Sequence, residues 1–329
     1  MKIANLFNMI LFESNKYSAK IILFLLLACG SFGTVSAQTY VQDMRRDSAR
    51  SDKLTGGKIV KTALAAGEEN LKITINVPAF QMTLWQNGRE VKTYPIGVGM
   101  KDYPVYIGFR EASRIDWNPV WIPPSSDWIE ASSKVKPGEV VLPTDPRNPL
   151  GKLKISLGYG YLIHQAKGVQ DLGSLVSHGC VRVMQADLYD LAEKIVAARA
   201  LPVSPQEIAE AKRSKKMLSA DLEPVIPVEL TYDTLVVEGG KLYIYPDIYD
   251  RKTNTAERLL AELKTSGVQT SELTDLMLKK MLAQAIGKTK YVVSVENIEA
   301  GKAITNGQKM AVVTQTGAAK NTKRARAKR

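Results

Sequence analysis

Residues 164–183 read HQAKGVQDLGSLVSHGCVRV, and they hold both histidines of the chain and one of its two cysteines. Chemistry that needs a thiol or an imidazole therefore has few places to occur. A protonated thiol is a weak nucleophile: with an ordinary pKa near ~8.5, only a few per cent is thiolate at neutral pH. An imidazole beside Cys180 can take that proton and leave a reactive sulfur. Gly179, lacking a side chain, lets the backbone turn closely and bares N–H groups that can hold the oxyanion of a tetrahedral intermediate. Two histidines compete for the role of base. If residues 178–180 are extended, His178 and Cys180 point to one face. His164 ends the strand-like run 161–164 and would sit across from the sulfur if the cysteine segment is its neighbour. Spacing alone leaves both open.

Strand patterns surround this stretch. Upstream, Leu71, Ile73, Ile75 and Val77 alternate at period two, and Met82, Leu84 and Val91 continue in short runs about an Asn87-Gly88 hairpin turn. Residues 94–98 and 154–157 also read as strands. Residues 115–150 are rich in proline and tryptophan, which predicts a long ordered loop or lid. Downstream, Leu188, Leu191, Ala192, Ile195 and Val196 fall on one face at helical spacing, with Asp187 as the expected cap and Pro202 as the stop. Residues 204–219 read as a charged helix, and 228–230, 234–237 and 242–245 as strands, the last two joined by a Gly239-Gly240 turn. Two amphipathic helices are expected within 255–287, and a strand at 291–295.

The run from His164 to Val183 resembles the signature of the L,D-transpeptidase catalytic domain, the YkuD-like family. That signature is a His, a loop of about a dozen residues, then Ser-His-Gly-Cys, an apolar residue and Arg or Asn; here Gln165 to Val176 form the loop. Asn76-Val77-Pro78, Pro95-Ile96-Gly97-Val98-Gly99, the segment Asn118 to Pro124, Asn148-Pro149-Leu150-Gly151 and Gly160-Tyr161-Leu162-Ile163-His164 are similar to further landmarks of the family. The resemblance covers roughly residues 70–250, and Arg182 is similar to the periplasmic branch of Gram-negative bacteria. It implies a mostly β fold: a β-sandwich or barrel catalytic domain with one or two peripheral helices, here followed by a small α/β C-terminal extension.

The resemblance also implies roles. Cys180 would be the nucleophile and His164 the general base, oriented through the backbone carbonyl of Gln165. His178, Gly179 and the Cys180 N–H would form the oxyanion pocket, with Ser177 supporting it. Arg182 would fork onto a carboxylate of the substrate, and Trp117, Trp121 and Trp128 would wall the channel. The substrate would be a peptidoglycan tetrapeptide stem. Cys180 would attack the carbonyl before its terminal D-Ala and form a thioester. An amine from a neighbouring stem, or from a lysine of a wall-anchored lipoprotein, would then take the acyl group; water as acceptor would make the enzyme a carboxypeptidase. No metal or cofactor is implied. The chain departs from the family at Gln165, where Gly is usual, at Tyr103-Pro104-Val105-Tyr106-Ile107-Gly108, where a Thr-Pro-x-Gly turn is usual, and in an inserted stretch around 202–224. These departures bear on substrate fit more than on the chemistry.

Other readings fit less well. Papain-like peptidases place Cys before His, the reverse of this order. A zinc site built on two His and one Cys lacks a fourth ligand. A wall-binding module without catalysis has no use for the His/Cys pair.

Net charge is +12, and the last ten residues hold six basic side chains and no acid, so the main body is only mildly basic. Lys16 and Lys20 precede the apolar run 21–28, and Val35-Ser36-Ala37 ends a small-residue stretch, the three parts of an export signal. Leu26-Leu27-Ala28-Cys29 competes with it as a lipidation site. Cleavage after Ala37 would leave Cys180 as the one thiol. The expected organisation is a signal at 1–37, a linker at 38–70, the catalytic domain at 71–250, a small accessory region at 251–300 and a basic disordered tail at 301–329. A monomer in the periplasm or cell envelope is expected, acting on wall peptides, with no nucleic-acid partner.

Overall fold

The structure is a computed structural model that describes residues 70–313. The expected export signal, Cys29, the linker before residue 70 and the basic end of the tail lie outside the described residues. All described residues fall within one compact unit. Among them no helix is long and apolar enough to cross a membrane.

The alternating stretch at the start forms β1 (Leu71–Asn76), whose Leu71, Ile73 and Ile75 are fully buried while the residues between them are not. β2 (Gln81–Gln86) and β3 (Arg89–Gly99) follow as antiparallel neighbours across the expected hairpin. β4 (Gly108–Trp117), β5 (Leu153–Ser156), β6 (Leu162–Gln165), β7 (Leu175–Ser177), β8 (Val181–Val183) and β9 (Leu218–Thr231) complete the main sheet. The strand order is β2-β1-β9-β4-β5-β6-β8-β3-β7, and an extra β2–β3 pairing closes the run from β2 to β3 into a ring, with β7 attached outside it along β3. The fold is mostly β, and the ring encloses a core that includes Tyr94, Ile115, Trp117, Ile155, Ile163 and Val181.

The helix Gln185–Ala198 buries Leu188, Leu191, Ala192, Ile195 and Val196 as its periodicity predicts. Asp187 does not cap it: Met184 holds the cap position, and Asp187 sits in the first turn, where it pairs with Lys92 at 3.1 Å. The same lysine reaches Asp190 at 3.1 Å, and the Tyr94 hydroxyl donates to Asp190 at 2.9 Å, which ties the helix to β3. Helix Pro205–Arg213 opens with a Ser204/Glu207 capping box.

The stretch at 202–224, expected to be inserted, takes part in the main sheet. Its latter part is the first half of β9, which pairs with β4 along nearly its whole length. The register jumps between Ala112 and Arg114, and residues 222–225 bulge out of the ladder there. Pro224 falls in that bulge, where no ladder N–H is required.

A smaller antiparallel sheet follows, in the order β10-β11-β12-β13: β10 (Leu235–Glu238), β11 (Lys241–Ile244), β12 (Thr289–Ser294) and β13 (Gln308–Ala311). Helices Ala256–Thr265 and Asp275–Leu282 bury Leu259, Leu263, Leu278 and Met281 in a core shared with Leu242, Ile244 and Val293. This sheet draws on strands either side of the expected boundary at 250. Regular structure also runs past 301 to β13, because β13 pairs with β12 and Val312 packs into the main core.

Ile163 lies between β5 and β8, fully buried, opposite Ile155 and Val181. Ile163→Ala is expected to cost about 2–5 kcal/mol of stability, since the surrounding sheet cannot collapse onto the void. Urea unfolding checks this; a loss below about 1 kcal/mol would contradict the packing described.

Candidate active site

β6 and β8 run parallel, with Ile163 opposite Val181, His164 opposite Arg182 and Gln165 opposite Val183. Strand alternation then sorts the side chains. Ile163, Val181 and Val183 face the main core, while His164 and Arg182 project from the other face. Cys180 precedes β8 by one residue and shares the parity of Arg182. The sulfur and the His164 imidazole therefore belong to the same side of the same strand pair. This face is roofed by the long proline- and tryptophan-rich loop, whose own small core consists of Trp121, Ile129, Val135, Val141 and Leu150, with Trp128 and Leu162 against it. The loop is ordered by the short helix Asp127–Glu130 and by a bridge between Trp121 and Val141.

The turn before Cys180 is built tightly. Gly179 has φ +104, and a Cβ there would lie 3.2 Å from the Tyr161 ring. Only glycine tolerates that conformation at that distance. The Ser177 hydroxyl donates to the Cys180 carbonyl at 2.5 Å, and the Met100 N–H donates to the Ser177 carbonyl at 2.8 Å. Because Gly179 breaks the extended run, parity no longer sets His178 beside Cys180. His178 instead lies exposed, its ring stacked on Trp128 at 4.1 Å between centroids and meeting Tyr103 edge-on at 4.7 Å. Tyr103 belongs to the 100–106 loop. The Tyr249 hydroxyl holds that loop, donating to the Gly99 carbonyl at 2.9 Å and accepting the Val105 N–H at 3.2 Å.

Burial disfavours the charged forms of both Cys180 and His164. Burial pushes the Cys180 thiol above its usual range, opposed by the Leu162 N–H and the Arg182 charge. Burial, with Arg182 adding to it, holds His164 down to about 3, against the carbonyls of Leu150 and Gln165, which favour its charged form. Both shifts favour the neutral forms, a thiol and an imidazole, over an ion pair. Arg182 is 7 % exposed, with Nη1 3.6 Å from Asp171 Oδ2. Asp171 in turn accepts the Lys167 N–H at 2.8 Å and so braces the loop between His164 and Cys180. On the far side of His164, Lys154 is its cross-strand partner, and Lys154 Nζ lies 3.2 Å from Asp116 Oδ2. Arg114 Nε donates to Asp116 Oδ1 at 2.8 Å, and the Ser219 hydroxyl does so at 2.6 Å. A row of buried charged and polar groups thus runs across the sheet beside His164.

Residues 70–208 match the family model described as YkuD, the L,D-transpeptidase catalytic domain. The probable L,D-transpeptidase YbiS of Escherichia coli (strain K12) is 32 % identical over 126 residues, 37 % of this chain and 41 % of that protein. The probable L,D-transpeptidase ErfK/SrfK of Salmonella typhimurium is 29 % identical over 118 residues, 35 % of this chain and 38 % of that protein. The chain thus spans about two fifths of the length of the curated relatives it matches. Among solved structures, L,D-transpeptidase 1 of Mycobacterium tuberculosis aligns with 49 % of this chain and 62 % of its own at 18 % identity, with a TM-score of 0.29.

Within the matched region, the structure brings His164 and Arg182, and by parity Cys180, to one face of the β6–β8 pair, with Ser177 and Gly179 in the turn that leads to Cys180. One substrate-binding assignment needs correction. Trp117 is 1 % exposed and packs in the main core, so it walls no channel. Arg182 faces Asp171 inside the protein, so a substrate carboxylate would have to compete with that pairing. Trp121 packs in the loop's small core, and its neighbour Trp128 is the tryptophan that reaches His178. The Gln165 side chain does not narrow the site from its face: its Oε1 accepts the Lys152 N–H at 2.7 Å and covers Gly151. Asp171 and Lys154 carry no sequence signal: Asp171 is one residue of the loop between His164 and Ser177 that folds onto Arg182, and only the strand register places Lys154 beside His164.

Trp128→Ala is expected to lower kcat/KM about two- to tenfold through loss of the stacked ring. His178→Ala added to it should cost little more, because the two side chains act as one wall. Full additivity in a double-mutant cycle would contradict that coupling.

Proposed function

We propose that the chain is a peptidoglycan L,D-transpeptidase that uses Cys180 as nucleophile and His164 as base. The observation that carries this reading is the β6–β8 register, which sets His164 and Cys180 on one face beside a glycine turn. In the first step the thiol attacks the carbonyl before the terminal D-Ala of a tetrapeptide stem, and its proton passes to His164. The neutral resting pair suits this concerted transfer, and Arg182 eases the charge that develops at sulfur. The backbone N–H groups at His178–Cys180 hold the oxyanion. D-Ala leaves with the proton from His164, and a thioester remains on Cys180. An amine from a second stem, or from a lysine of a wall-anchored lipoprotein, attacks the thioester and frees the enzyme. The export-type order of residues 1–37 supports a site of action in the periplasm, and nothing in the reaction requires a metal, a cofactor or a second copy of the chain.

Incubation with a disaccharide-tetrapeptide tests this, with products read by mass spectrometry and Cys180→Ser alongside. Loss of D-Ala with cross-linked dimer is the expected result. Tripeptide without dimer would assign water as acceptor. No product from protein with a reduced Cys180 would overturn the enzymatic reading.

A further inference from the structure

Arg110 has its guanidinium carbon 3.8 Å from the ring centroid of Tyr106, 4.7 Å from that of Tyr161 and 4.8 Å from that of Tyr159. No carboxylate of the described residues pairs with it, and its Nε is buried without an acceptor. Stacking uses the faces of a guanidinium and leaves its in-plane N–H donors free, so the rings fix a fork whose partner is missing. A buried donor left unpaired costs stability, and the fold bears that cost here. The cluster opens to solvent, since Tyr106 is 41 % and Tyr159 54 % exposed.

The cluster is also built with unusual backbone. Gly108 has φ +134, and a Cβ there would come within 2.9 Å of the Tyr106 ring. Glycine at 108 is what lets Tyr106 fold back over Arg110. This is the segment, 103–108, in which the sequence departs from the usual turn of its family. The cluster adjoins the nucleophile, because the Tyr161 ring that flanks Arg110 also packs on Gly179, the residue before Cys180. A peptide with its reacting carbonyl at Cys180 reaches Arg110 within the span of a few extended residues.

We propose that Arg110, held by Tyr106, Tyr159 and Tyr161, is the receptor for a carboxylate of the peptide substrate, an assignment that rests on the transpeptidase reading above. A carboxylate offers two oxygens in one plane, the geometry that a stacked guanidinium matches. Two sources present this chemistry: the C-terminal carboxylate of the stem peptide and the carboxylates along its length.

The test compares full-chain wild type, Arg110→Met and Arg110→Lys on three peptides: the parent tetrapeptide, its C-terminal amide, and a version with internal carboxylates amidated. On the parent, Arg110→Met should lose about ten- to a hundredfold in kcat/KM, mostly through KM, and Arg110→Lys should recover only part of it. One amidated peptide should be slow with wild type and show no further loss with Arg110→Met, which identifies the carboxylate. Equal losses on all three peptides, or no loss on any, would overturn the proposal. If wild type fails to release D-Ala from the parent, the enzymatic reading falls, and calorimetry of the same peptides on Cys180→Ala decides for Arg110 separately. Affinity that drops with Arg110→Met for the parent but not for one amide supports the receptor; unchanged affinity rejects it.

Discussion

Cys180→Ser is expected to slow release of D-Ala from a tetrapeptide stem by roughly four orders of magnitude or more, with the melting temperature nearly unchanged. A hydroxyl is far less acidic than a thiol, and the surroundings of residue 180 offer little to offset this. Burial already opposes ionisation there, and only the Leu162 N–H and the Arg182 charge favour it. The fold should survive, because the contacts that shape the turn use the backbone of residue 180: Ser177 bonds its carbonyl, and Gly179 sets its direction. Single-turnover release of D-Ala measures the effect. A variant that kept more than about one per cent of wild-type rate would mean that the thiol is not the attacking group.

His164→Gln should reduce the acylation rate by about 10²–10⁴, the range of a positioned general base. The pH dependence carries more information than the size of the loss. Burial and Arg182 hold the imidazole down to about 3 in the folded protein. Acylation by wild type should therefore hold well below pH 6 and fail only as that value is approached, whereas an ordinary imidazole would lose function near 6.5. Stability follows the same group. The folded pKa is depressed, so the unfolded chain takes up the proton first as pH falls below about 6.5. The stabilisation from neutral His164 is complete above that pH and drains away toward 3, with a ceiling of roughly 5 kcal/mol. His164→Gln should flatten the slope of stability against pH in this window. An acid limb of acylation near 6.5, or an unchanged slope, would contradict the buried neutral imidazole.

The parts of the fold that were legible in the sequence are those where burial alone decides. In β1 and in helix Gln185–Ala198, one face meets the core, so apolar spacing reports the element. β4 was not legible. Its Arg110, Glu111, Arg114 and Asp116 interrupt any alternation, because this strand carries charged groups with partners of their own: Asp116 pairs with Lys154, the neighbour of His164, and Arg110 stacks on the tyrosine cluster. Its partner β9 was masked by Pro224 and Pro227: Pro224 falls in a bulge that no pattern rule anticipates, and Pro227 stays in the ladder opposite Glu111. The placement of the two histidines was equally out of reach. It depends on a parallel pairing of β6 with β8 across a crossover, and on a single glycine torsion that turns His178 aside. The tryptophans looked alike in sequence, and only packing separates buried Trp117 from Trp128, which touches the site.

The central claim is that a peptide acyl group resides on Cys180 during turnover. Intact-mass spectrometry of the full chain, mixed with a tetrapeptide donor and quenched in acid before an acceptor is added, tests it most directly. The account predicts a mass increase equal to the donor less D-Ala, mapped to Cys180 after digestion and discharged by an added amine. No adduct on protein whose Cys180 is reduced, or an adduct on any other residue, would contradict it.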